Sequence, residues 1–309
     1  MYISYLIHVY NEEKNIEELY RQLIDKTKAI GGIDRYEIIF INDGSRDRSY
    51  EIIKNLAKDD KNVKCINFSR NFGQQVAIMA GIEHCEGDAA IIMDADLQDD
   101  PSLINKLLDK YNEGFDVVYA VREKRKESFF KRRCFALFHK VMNRVSDIAI
   151  PENAGSFSLL NRRTLAEIKK MQENNFYIPG LRAYVGFRSA GVTIERAERH
   201  AGESKSFFQL VGLAKKAIFS FSFFPLELMF FIGIISLIVS FTLAVYVVYE
   251  KIFYDIVSGW ASLLIVIIFF NAMQFLCFAV LGEYLAIIFD ETKKRQRYIV
   301  EEKINFDQK

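Results

Sequence analysis

The 309-residue sequence predicts an α/β domain with a mainly parallel sheet, followed by two membrane-spanning helices. Three observations predict this. Short apolar runs alternate with helix-periodic segments as far as residue 121. Four of those runs end in a polar cluster. Residues 228–249 and 257–282 contain no Asp, Glu, Lys or Arg, and each run exceeds the ~20 residues that a helix needs to cross the hydrocarbon core.

The predicted strands cover residues 2–9, 37–42, 64–68, 89–93 and 116–121, and the helices between them residues 13–29, 47–57, 74–84 and 101–112. Alternation of this kind gives parallel strands covered by helices, and such sheets bind ligands at the carboxyl ends of their strands. Read in order, those ends are "VYNEE" (9–13), "INDGS" (41–45), "FSRNFG" (68–73) and "MDADLQ" (93–98). Taken singly, Asn11 and Asp43 fit helix caps, and Gly44 and Gly73 fit turns. Four clusters on one edge of one sheet point instead to a shared site.

Beyond residue 121 the pattern changes. Residues 121–133, "VREKRKESFFKRR", hold seven basic and two acidic side chains. A helical segment is predicted at 129–145, then a loop and strand at 153–160 ("NAGSFSLL"), and an aromatic amphipathic stretch at 207–224 suits an interfacial helix. The only polar break between the two charge-free runs is "EKIFYD", 250–255, so they form a hairpin. Lys215 and Lys216 precede the hairpin and "KKRQR", 293–297, follows it. The positive-inside rule then places both ends, and the N-terminal domain, in the cytoplasm. No signal peptide is expected, because the first apolar run is already a strand. The expected organisation is a cytoplasmic catalytic domain at 1–200, a juxtamembrane segment at 201–226, transmembrane helices within 227–290 and a cytoplasmic tail at 291–309, of which the last dozen residues are expected to be loose and polar.

Composition excludes some functions. A net charge of +1 and a single basic patch argue against nucleic acid as partner. Cys65, Cys85, Cys134 and Cys277 are too widely spaced for a CxxC-type metal site, so reduced thiols are expected.

The stretch "IIMDADLQDD", 91–100, runs a buried strand into dense negative charge, which is costly unless something positive sits there. In "DAD" the carboxylates of Asp94 and Asp96 are two residues apart, on one side of an extended chain, so they can share a cation. Hard oxygen donors select Mg²⁺ or Mn²⁺, and such ions take their remaining ligands from water and phosphates. Asp99 and Asp100 have another explanation, the helix start at Pro101.

In order and spacing, "VYNEE", "NDGS", "SRNFG" and "DADLQD" resemble glycosyltransferase family 2 with the GT-A fold. "GESK" at 202–205, two C-terminal membrane helices and "GEY" at 282–284 narrow the resemblance to the polyisoprenyl-phosphate glycosyltransferases. These include undecaprenyl-phosphate glucosyltransferases and dolichyl-phosphate mannose synthases. The resemblance covers essentially the whole chain and is specific for the family but weak for the sugar. It implies that Tyr10, Asn11, Glu12, Asp43, Ser69, Arg70 and Asp94 hold a nucleotide sugar, with UDP-hexose favoured. It implies that Asp94, Asp96 and Gln98 bind the metal, that Arg122, Lys131 and Lys205 face the phosphate of a polyprenyl phosphate acceptor, and that Asp94, Asp96 and Ser156 carry catalysis. It further implies a multi-pass protein of the cytoplasmic membrane, in contact with the bilayer and assembled as a homo-oligomer.

Two positions depart from the family pattern. His8 stands where relatives usually have proline, with an expected effect on strand geometry more than on chemistry. Ser156 and Ser158 stand where relatives commonly read Gly-Asp-Phe-Arg, whose acid is often proposed as the catalytic base. The rival readings are a catalytically impaired nucleotide-sugar binder and a processive polysaccharide synthase. The second would bring a Gln-x-x-Arg-Trp motif, whereas the only tryptophan is Trp260, inside a membrane run.

Overall fold

The computed structural model describes residues 1–122, 154–173, 176–194, 224–253 and 259–306. The chain divides into two units. The first is built on an eight-stranded sheet: β1 (Tyr2–Val9), β2 (Arg35–Asn42), β3 (Val63–Phe68), β4 (Ala89–Asp94), β5 (Val117–Arg122), β6 (Ala154–Asn161), β7 (Ser189–Ile194) and β8 (Val300–Ile304). Its helices are α1 (Ile16–Ala29), α2 (Ser49–Asp59), α3 (Gln74–His84), α4 (Ile104–Asn112), α5 (Arg162–Lys170) and α6 (Ile178–Tyr184), with a 3₁₀ turn at Pro101–Leu103 before α4. The strand order is β7-β5-β6-β4-β1-β2-β3-β8. β6 runs antiparallel to β4 and β5, β8 runs antiparallel to β3, and the other neighbours are parallel.

The central strands are apolar on both faces, as a sheet covered by helices requires. Ile3, Tyr5, Ile7 and Val9 of β1 point into one core with Ile16, Leu19 and Leu23 of α1. Leu6 belongs to the other core, with Ala77 and Ile78 of α3 and Ile178 and Leu181 of α6. α1 forms because its buried positions, Ile16, Leu19, Leu23 and Thr27, recur on one helical stripe. Thr27 also bonds the Tyr5 hydroxyl at 2.8 Å, so that a tyrosine can be fully buried.

The five N-terminal strands stand where the sequence places them, apart from their terminal residues. The tail does not stay loose. Residues 300–304 form β8, with Cys65 opposite Ile304 and Asn67 opposite Glu302. The sequence hides this strand because "VEEKI" alternates charge with apolar residues, the pattern of a half-exposed edge. The strand and the residues just before it find specific partners: Tyr298 stacks on Phe68 with ring centroids 4.9 Å apart, Arg297 pairs with Glu83 at 3.1 Å, and Tyr50 donates to Glu302.

The second unit contains α7 (Phe224–Phe253) and α8 (Trp260–Thr292), both long and apolar enough to cross a membrane. Their surfaces are apolar all round: Leu237, Phe241 and Phe275 are each 71% exposed. Helices of this kind need an apolar surrounding. Because β8 follows α8, the chain leaves the sheet unit before the two helices and rejoins it after them. The basic stretch beyond Arg122, the predicted helix at 129–145, the predicted interfacial segment up to residue 223, and Lys131, Cys134 and Lys205 lie outside the described residues.

Candidate active site

Side chains of a strand alternate between faces, and four polar residues share the face packed by α3 and α6. They are Asp43 just beyond β2, His8 in β1, Asp94 at the end of β4 and Ser156 in β6. His8 lies opposite Ile41 and Asp94 in register, and Ser158 lies opposite Ile92. The residues therefore form a row across the carboxyl end of the parallel strands.

Backbone turns hold the row in place. Asp43 is 1% exposed, and its carboxylate accepts the Phe72 and Gly73 amides at 2.7 and 3.0 Å. It therefore ties the β3–α3 loop to the end of β2. Gly44, at φ +65°, lets that loop approach. A Cβ there would lie 2.4 Å from the Arg70 carbonyl carbon. Asn11 takes a left-handed conformation, φ 56°, and its side-chain oxygen accepts the Arg46 amide at 2.8 Å. Neither Asn11 nor Asp43 is a helix cap, since Asn15 and Arg48 stand at the starts of α1 and α2.

Around Asp94 the charge is partly compensated. Gln74, the first residue of α3, donates to Asp94 Oδ1 at 2.7 Å. His8 lies between the two carboxylates, with Nε2 3.6 Å from Asp43 and Nδ1 3.9 Å from Asp94, and Nε2 makes no hydrogen bond among the described residues. His8 was expected to matter for strand geometry, and the structure sets it between two site carboxylates. The signal in the sequence was an imidazole on the core face of an apolar strand, one residue before its end.

The extended run stops at Asp94. Asp96 sits in the following turn, 9% exposed, with Oδ1 accepting the Gln98 amide at 3.1 Å. Asp100 caps the 3₁₀ turn, accepting the Ser102 amide at 2.7 Å, the role its place before Pro101 predicts. Tyr10, Asn11, Ser69 and Arg70 are exposed on the same edge, Arg70 over the Phe72 ring at 4.2 Å. Glu12 is half-buried, its carboxylate accepting Asn15 Nδ2 at 2.6 Å. Arg122 ends β5 at this edge, opposite Ile194.

Three residues at the site, Gln74, Gln75 and Arg182, are absent from the sequence-based expectations. Gln75 accepts the Ile178 amide at 2.7 Å and so ties the start of α6 to the start of α3. From α6, Arg182 reaches β6, where Nη1 donates to the Gly155 carbonyl at 3.3 Å and the guanidinium lies 4.7 Å from the Tyr119 ring centroid. Arg182 is 3% exposed and its Nη2 has no partner. Burial pulls its pKa down to about 10, still charged at neutral pH. A lone basic residue in the apolar run "IPGLRAYVG" was the signal available.

The model of the family described as glycosyl transferase family 2 matches residues 4–169, from β1 to the end of β6 and into α5. The chain belongs to this family. The glycosyltransferase YkcC of Bacillus subtilis is 41% identical over 99% of this chain and 95% of its own length. A bactoprenol glucosyl transferase of Shigella phage SfX is 38% identical over 97% of this chain and 99% of its own. Among solved structures, mannosyl-3-phosphoglycerate synthase of Rubrobacter xylanophilus superposes with a TM-score of 0.48 at 15% identity, covering 71% of this chain and 72% of that one. The mixed sheet with β6 reversed is of the GT-A type that the motifs imply.

Among the described residues no three His, Cys, Asp or Glu side chains form a closed metal cage. Two carboxylates and an amide at a strand end suit a hard divalent cation that takes its other ligands from water and a diphosphate. The donor set therefore fits Mg²⁺ or Mn²⁺.

Proposed function

We propose that this family 2 glycosyltransferase moves a hexose, glucose in the favoured case, from a UDP-sugar to a polyprenyl phosphate, with inversion at the anomeric carbon. The observation that carries the reading is the set of carboxylates at the carboxyl ends of β2 and β4, Asp43, Asp94 and Asp96. This negative edge is suited to a cation and, through it, to a nucleotide diphosphate. The acceptor follows from near-full-length relatives such as the phage enzyme, whose name specifies bactoprenol and glucose, and from two helices of the same chain long and apolar enough to cross a membrane. A cytoplasmic-membrane protein with the site facing the cytoplasm and both ends of the hairpin on that side completes the proposal. The return of the chain to the sheet unit at β8 supports it.

Asp94, Asp96 and Gln98 would hold Mg²⁺ or Mn²⁺, whose charge offsets that developing on the departing diphosphate. Tyr10, Asn11, Glu12, Ser69 and Arg70 line the edge where base and ribose bind. Asp43 acts on the nucleotide by fixing the 69–73 loop. Arg122, with Lys131 and Lys205, attracts the lipid phosphate. A phosphate monoester has a second pKa near ~6 and is mostly dianionic at pH 7. The nucleophile therefore needs positioning more than deprotonation, and Ser156 serves as a hydrogen-bond donor.

The test is incubation of membranes carrying the full chain with polyprenyl phosphate and a panel of radiolabelled nucleotide sugars, with and without chelator, followed by organic extraction. Label should enter the lipid from UDP-glucose and vanish with the chelator. Ser156 favours a second reading, an impaired nucleotide-sugar binder. Lipid product absent from wild type with every sugar, but present in Ser156→Asp between pH 5 and 8, would establish that reading.

A further inference from the structure

We infer that Arg182 is the internal counter-charge for a phosphate monoester that docks at the start of β6, beside Ser156. The inference rests on the acceptor being such a phosphate.

The argument starts from cost. A guanidinium buried without an acid is unfavourable, because neither water nor a carboxylate replaces its lost hydration. Charged groups elsewhere in the sheet unit meet this demand with partners, as Glu37 does with Lys64 at 2.7 Å. Arg182 does not. The Gly155 carbonyl and the Tyr119 ring are neutral, Nη2 is unbonded, and no carboxylate among the described residues pairs with it. Neither Asp43, which accepts two backbone amides, nor Asp94, which accepts Gln74, is hydrogen-bonded to it.

The surroundings show where the missing anion belongs. Gly155 and Ser156 are only half-buried, whereas Phe157 and Ser158, which follow, are buried. An anion arriving at the strand end meets the Ser156 hydroxyl, with the guanidinium directly behind Gly155. The place lies next to Asp94 in the sheet, since β6 pairs with β4, so the anion sits beside the donor rather than in its diphosphate position. Arg182 bonds well to phosphate through its fixed fork of donors. Because it is held back by the Gly155 carbonyl, it acts here as a positioning residue, supplying field and anchoring the strand end.

The experiment uses purified full-length protein in nanodiscs and four forms: wild type, Arg182→Lys, Arg182→Met and Ser156→Asp. Affinities are measured for a short-chain prenyl phosphate, the corresponding alcohol, inorganic phosphate and UDP, together with KM and kcat for the prenyl phosphate. Arg182→Met should weaken prenyl phosphate binding about tenfold, which corresponds to losing a charge-assisted contact. It should raise KM with kcat nearly unchanged and leave UDP and the alcohol as in wild type. Lysine should restore most of the affinity. Ser156→Asp keeps the arginine and places an internal anion in the pocket. It should weaken prenyl phosphate binding similarly while raising the melting temperature, which keeps the test informative if Arg182→Met fails to fold. A parallel loss for inorganic phosphate would identify the phosphate itself as the ligand, and a loss confined to the prenyl ester would identify the lipid-linked form. Equal prenyl phosphate affinity in all four forms overturns the role of Arg182 and leaves the proposed reaction standing. Wild type that binds UDP but no prenyl phosphate overturns the acceptor assignment and this inference together.

Discussion

The two ends of one sheet treat buried charge in opposite ways. Inside the sheet, Glu37 of β2 is 1% exposed, yet it accepts from Ser4 Oγ at 2.5 Å and the Glu86 amide at 2.8 Å and pairs with Lys64. Burial pushes its pKa up, but the Glu86 amide, Lys64 and Ser4 together outweigh that and hold it below the usual carboxylate range. At the carboxyl edge, Asp94 has the Gln74 amide and the His8 ring near it and, among the described residues, no ion pair with a lysine or arginine. Charge completed by the protein's own groups is architecture. Charge left for an outside partner marks the site.

The largest expected effect tests that contrast at the open end. Asp94→Asn should reduce sugar transfer by about 10³-fold, the scale of losing a preorganised electrostatic partner of the reacting charge, while the melting temperature stays within a few degrees of wild type. Lipid-linked sugar formation and thermal unfolding of the same preparation give both readings. Transfer at the wild-type rate would mean that the edge carboxylates are as structural as Glu37.

The converse applies at the closed end. Glu37→Gln leaves Lys64 without its buried counter-charge, and breaking such a pair costs about 3 kcal/mol. Unfolding should shift markedly downward, while UDP affinity per folded molecule stays unchanged. A loss of UDP affinity without destabilisation would erase the distinction between the two ends.

Much of this was legible in the sequence because periodicity and strand-end chemistry are local. β1, β4 and the whole of α3 announce themselves by apolar runs and the turn signals around them, and "DADLQ" carries its negative charge in five consecutive letters. What stayed hidden depends on contacts between distant residues. Arg182 is one basic letter in a helix until α6 is tied by Gln75 beneath β6. His8 looks like a change of backbone until β1 sets it opposite Asp94. Asp43 reads as a ligand for the base, and its tie to the Phe72 and Gly73 amides shows only in the fold. β8 could not be recognised because "VEEKI" is amphipathic only relative to a distant partner strand, where Cys65 and Asn67 await Ile304 and Glu302.

That C-terminal strand also supplies the smallest predicted effect, a pH dependence of its docking. The neutral His84 ring donates from Nδ1 to the Ala80 carbonyl, 2.9 Å away, and accepts the Lys303 ammonium of β8 at Nε2, 2.7 Å away. Burial, as the main cause, and then the charges of Lys303 and Lys169 lower the His84 pKa from 6.5, against the pull of the Ala80 bond and Glu83. A folded value below the unfolded one means that the detached state takes up the proton first. Docking stability from this contact is therefore full above the unfolded value near 6.5 and is lost as the pH falls from there through the folded value. Amide exchange of Val300–Ile304 should be a few-fold less protected at pH 5.5 than at pH 7.5, after correction for intrinsic rates. Both pH values lie above the range where ordinary carboxylates titrate. His84→Gln keeps a polar side chain but cannot take up a proton, so it should flatten that difference without detaching the strand, which Tyr298, Arg297 and Tyr50 still hold. An unchanged difference in His84→Gln would assign the pH response to another group and leave β8 as firmly docked as the rest of the sheet.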